Sequence, residues 1–79
     1  METEFAGLTY KEGVLEPKVR ELIKFSVNIA IGFEHGATLH LARARECGAT
    51  EEEISEAVAY AMRPVAAKLR FFAKAIVEA

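Results

Sequence analysis

The sequence predicts an all-α bundle of about four helices behind a short N-terminal arm. Three observations carry that prediction. From Pro17 to the end, apolar residues recur at spacings of three and four. Thr50-Glu51-Glu52-Glu53 has the form of a capping box, which opens a helix. Gly48 stands just ahead of it, placed to close the helix before.

Residues 1–16 show no sustained period, and Gly7 and Gly13 interrupt their few apolar anchors. They read as an arm with room for a short helical turn. Pro17 suits a first helical position, since its missing N–H would have no partner there. Val19, Leu22, Ile23, Ser26, Val27 and Ala30 then form one face, widened by Phe25, Ile29 and Gly32. Only Glu21, Lys24 and Asn28 form a polar stripe, so this helix is expected at the centre, buried on several sides. Gly32 predicts a break or kink. A second helix follows to Cys47. A third starts after Thr50 with Ile54, Ala57, Val58, Ala61 and Met62 on one stripe. Arg63-Pro64 is expected to end it and start a fourth, with Val65, Leu69, Phe72, Ala73, Ile76 and Val77 facing one way. Phe71 lies off that stripe. One of the two adjacent phenylalanines is a candidate for a subunit interface.

A chain of 79 residues makes one domain, spanning 1–79, with residues 17–79 as its helical core. With 52% apolar residues it holds more than so small a core can hide, so a homo-oligomer is expected. The net charge of −2 offers nothing for a nucleic-acid backbone. The longest uncharged stretch, Phe25 to Phe33, is far too short for a membrane span, and the acidic N-terminus does not resemble a secretory signal. A cytoplasmic location is the expectation. The single cysteine, Cys47, excludes an internal disulfide and a two-cysteine redox motif.

The residues with chemical capacity cluster in and around GFEHGATLH, Gly32 to His40. Phe33, Ala37, His40, Ala44 and Cys47 follow one another at spacings of four and three and share a face, bordered by Gly36. His40 thus sits in a stripe of small residues. That stripe leaves room for a ligand or for a close helix, and a histidine hydrogen-bonded in the core is the simpler reading. His35 is five residues earlier, on another face, so the two histidines do not form a zinc pair, and no metal or cofactor is expected. Glu21 falls in the first turn of the central helix, where few polar positions exist. Cys47 stands at a helix C-terminus, whereas reactive thiolates favour the positive end of a helix.

Taken in order, LEPKVRELIKFSVNIAIG, the histidine helix and RECGATEEEISEAVAYAM resemble the carboxymuconolactone decarboxylase and alkylhydroperoxidase D-like superfamily over about residues 15–75. The peroxidase branch carries a Glu, a Cys-x-x-Cys and, after three intervening residues, a His. On this chain the resemblance places the acid at Glu21 and the histidine at His40. The cysteine positions fall on Phe33 and Gly36, so both thiols are absent. The decarboxylase branch has no such cysteines and keeps the histidine. Its reaction needs proton transfer and an anion-stabilising pocket. The resemblance also implies trimers or hexamers with sites between subunits.

Three functional readings follow. In the first, Glu21 and His40 serve a thiol-independent enzyme or a binder of a small carboxylate, in a pocket lined by Phe33, Gly36, Ala37 and Ala44. In the second, the chain is a non-catalytic structural or binding oligomer. In the third, it is an antioxidant peroxiredoxin-type enzyme that reduces a hydroperoxide through Cys47 or a partner thiol.

Overall fold

The computed structural model describes residues 2–79. Their order is β1 (Glu2–Phe5), β2 (Leu8–Lys11), α1 (Pro17–Ile31), α2 (Glu34–Glu46) and α3 (Glu51–Val77). The protein is predominantly helical. Two predicted features are corrected: the arm contains a hairpin, not a helical turn, and there are three helices, not four.

The hairpin pairs Glu2 with Lys11 and Phe5 with Leu8, which leaves Ala6-Gly7 as a two-residue turn. Both turn residues have positive φ, 52° and 85°, as the tightest hairpin turns require. The Gly7 N–H donates to Glu4 Oε1 at 2.8 Å. Four-residue strands are too short to show a period of two, so the pattern was invisible beside the glycines.

α1 begins at Pro17 as expected and stops at Gly32, which takes the left-handed conformation at φ 73°. The Gly32 N–H bonds the Ile29 carbonyl and the Phe33 N–H bonds the Asn28 carbonyl, satisfying the last turn. α2 closes in the same way. The Gly48 N–H reaches Arg45, the Ala49 N–H reaches Ala44, and Gly48 has φ 92°. Thr50 then opens α3 with the capping box complete: the Glu53 N–H donates to Thr50 Oγ1 at 3.1 Å and the Thr50 N–H donates to Glu53 Oε1 at 2.9 Å. The Thr50 N–H, followed by the Lys18 ammonium 3.0 Å away, holds the Glu53 carboxyl below its ordinary value.

Pro64 does not end α3. It lies inside one continuous helix of 27 residues, about 40 Å long. The ring removes a single N–H, and the helix-forming sequence on both sides carries the backbone through.

α1 packs on both α2 and α3 and is the central helix. It is not buried on several sides, however. Of its residues only Glu21 and Phe25 are buried, while Val19, Ile23, Val27, Ile29 and Ile31 remain exposed. Apart from Phe25, the apolar core consists of Ala44, Ile54 and Ala61. Past Ala61 every residue of α3 is exposed, including Phe71 and Phe72. The chain measures 50 × 34 × 21 Å, with a radius of gyration of 15.7 Å where a compact domain of this length has about 12 Å.

Candidate functional site

The site is built where α1 crosses α2. Glu21 is the fifth residue of α1, in its second turn and not its first. The helical repeat turns it toward α2, and it is the only buried charged residue described. On α2, His40 lies one turn before Ala44, which is fully buried and lets the two helices approach closely. His40 Nδ1 stands 3.2 Å from Glu21 Oε1, with the side chains 15% and 6% exposed. The ring N–H donates and the carboxylate accepts, a hydrogen bond between helices that joins residues 19 positions apart. The other carboxylate oxygen, Oε2, faces Arg20 Nε at 3.9 Å and Lys24 Nζ at 4.0 Å.

Glu21 also lines an open cavity of about 610 Å³. Arg20 and Lys24 of α1, Arg43 and Cys47 of α2, and residues 10–15 of the arm complete its wall. Four cations, Lys11, Arg20, Lys24 and Arg43, stand against three acids, Glu12, Glu21 and Glu46. Cys47 is exposed.

This is a different pocket from the expected one. Phe33 and Ala37 line a separate apolar groove with Phe25, Ile29 and Leu41, so Phe33 does not cap the Glu21 cavity. Gly36 faces no ligand space. A Cβ there would meet Asn28 Cγ at 2.6 Å and Phe33 Cδ2 at 2.9 Å, so the space that a side chain would need is already filled. Ala44 is sealed between the helices. His40 supports Glu21 from α2 and is not among the residues that line the cavity. His35 is exposed and its ring lies tilted against Phe33, 6.1 Å between centroids.

Helical spacing alone did not single out Arg20 or Lys11. The helical repeat held one signal: Lys24 stands one turn above Glu21, and Arg20 immediately precedes it. The contribution of the arm had no local signal. No group of three or more metal-ligating side chains occurs among the described residues. No described helix is long and apolar enough to cross a membrane.

Fold and site together define a small helical protein with a buried acid–histidine pair at the edge of a cavity lined by charges of both signs, and no cysteine pair. The chain belongs to the carboxymuconolactone decarboxylase family, whose model matches residues 1–79. No curated protein and no solved structure matches it.

Proposed function

We propose that the chain binds and transforms a small carboxylate without using a thiol. The observation that supports this reading most is the Glu21–His40 hydrogen bond at the wall of a cavity lined by four cations. A carboxylate ligand pairs with Arg20, Lys24 or Arg43 at its anionic end. Glu21 is the group placed to move a proton at the ligand, since its Oε2 is free of a close hydrogen bond. His40 acts through Glu21, holding the carboxylate in one orientation. In a decarboxylation of the kind the family name describes, the bond to the departing carbon dioxide breaks. Its electron pair passes into a conjugated carbonyl, and a proton is returned to carbon. The cations stabilise the charge that develops on oxygen.

One observation favours a second reading, peroxide reduction. Cys47 is exposed and lines the same cavity as Glu21. Its sulfur would attack a hydroperoxide, release the alcohol and become a sulfenic acid, which an external thiol must then reduce.

The two readings separate in one experiment. Wild type, Cys47→Ser and Arg43→Ala are tested for binding of small mono- and dicarboxylates by calorimetry and for hydroperoxide turnover with a dithiol donor. The first reading expects carboxylate binding that survives Cys47→Ser, weakens about tenfold or more in Arg43→Ala, and no peroxide turnover above buffer. Turnover that disappears in Cys47→Ser, with no carboxylate bound, overturns it in favour of the second.

A further inference from the structure

The cavity beside Glu21 has two kinds of wall. The helices supply Arg20, Glu21, Lys24, Arg43 and Glu46, with the thiol of Cys47 as their one uncharged group. The large apolar side chains all come from the arm: Tyr10, Val14 and Leu15. Gly13 takes φ 86° between them, and the turn it makes brings Tyr10 and Leu15 to the same cavity. The Tyr10 hydroxyl donates to Glu12 Oε1 at 3.3 Å, within the arm, which leaves the ring as an apolar wall.

These three side chains are largely uncovered. Val14 is 72% exposed, Leu15 51% and Tyr10 41%. Nor has the arm a core of its own, since all of residues 2–15 but Thr3 are exposed. A two-stranded hairpin alone is marginal in water, so an apolar group in the cavity would order the arm as well as fill the space. The charges set how many carboxylates that group can carry. Lys11, Arg20, Lys24 and Arg43 stand against Glu12, Glu21 and Glu46, which leaves a single positive charge. One carboxylate neutralises it. A second makes the site negative and must lose water against the apolar arm.

We infer that the ligand is an amphipathic monocarboxylate. Its carboxylate lies on the cations of α1 and α2, and its aliphatic or aromatic body is covered by Tyr10, Val14 and Leu15. The arm is thus the selecting wall: it favours an apolar body, and the charge balance disfavours a dicarboxylate. This inference rests on the carboxylate reading above and narrows it to one ligand class.

The test is a calorimetric or ligand-observed NMR titration of the full chain at about pH 7.5, where every probe acid is ionised. The probes are acetate, butanoate, hexanoate, adipate and hexanol. Affinity should rise about two- to fourfold per added methylene, so hexanoate binds at least about 15-fold tighter than acetate. Adipate, which has the same length and a second carboxylate, should bind at least about tenfold more weakly than hexanoate. In the double variant Val14→Ser, Leu15→Ser the dependence on chain length should disappear. Both positions are exposed and precede α1, so circular dichroism should keep its helical signal. A flat series in the wild type, or adipate bound as tightly as hexanoate, overturns this inference and leaves the carboxylate reading standing. A chain-length dependence that persists in the folded double variant overturns the role of the arm. Hexanol bound as tightly as hexanoate, or no binding of any acid, overturns the carboxylate reading and this inference with it.

Discussion

Truncating both members of the Glu21–His40 pair, separately and together, measures what holds the site. The contact is 3.2 Å long, and the two side chains are only 6% and 15% exposed, so water screens it little. A hydrogen bond to a charged group contributes about 1.5–3 kcal/mol. His40→Ala removes that bond and leaves Glu21 with only the longer contacts to Arg20 and Lys24. It should cost about 2–3 kcal/mol. Glu21→Ala leaves the His40 Nδ1 without its partner and should cost a similar amount. Because both changes break the same bond, the double variant should lose less than the sum. The expected coupling is about 1–2 kcal/mol, or roughly 4–16 °C in melting temperature for a domain of this size. Urea unfolding of the four proteins at one fixed protein concentration provides the assay. A coupling below about 0.5 kcal/mol would refute the claim that His40 orients Glu21, and the role of His40 in the proposed chemistry would go with it.

Two further outcomes are expected. Gly36→Cys, which restores one thiol at a position the resemblance reserves for it, forces Asn28 off the Lys24 carbonyl it now bonds at 2.7 Å. It should cost about 1 kcal/mol in urea unfolding, most of it recovered when Asn28→Ala makes space. The Glu53 carboxyl is held below its ordinary value of 4.5 in the folded chain, so its stabilisation is complete above that value and is lost as the pH falls through the folded value. The urea midpoint of Glu53→Gln should therefore lie below that of the wild type near pH 7 and approach it as the pH falls well below 4.5, and a difference that persists at the acid end would show that charge is not the cause.

Local chemistry made much of the fold legible. Pro17, Gly32, Gly48 and the Thr50 capping box act through backbone geometry within four residues, and each stands where the sequence placed it. The stripe of Phe33, Ala37, His40, Ala44 and Cys47 is a true helical face, but the partner helix reaches only its middle. Ala44 is buried, whereas Phe33 and Cys47 at its ends are exposed. Two misreadings have physical causes. The arm hairpin uses strands of four residues, below the length at which alternation can be distinguished from chance. Pro64 costs its helix one hydrogen bond, which 26 other residues outweigh.

By itself, then, the sequence determined where helices start and stop, which residue types are available for chemistry, and that the chain holds more apolar surface than it can bury. These depend on short-range dihedral preferences, capping hydrogen bonds and composition, all of which are local or additive. Only the tertiary structure decided that Glu21 meets His40 across two helices, that Arg20, Lys24, Arg43 and the arm surround one cavity, and that Gly36 is filled by Asn28. Those facts depend on how α1 and α2 cross. Crossing is set by the packing of whole helix faces, above all the close approach at Ala44, and no single segment of the chain contains it.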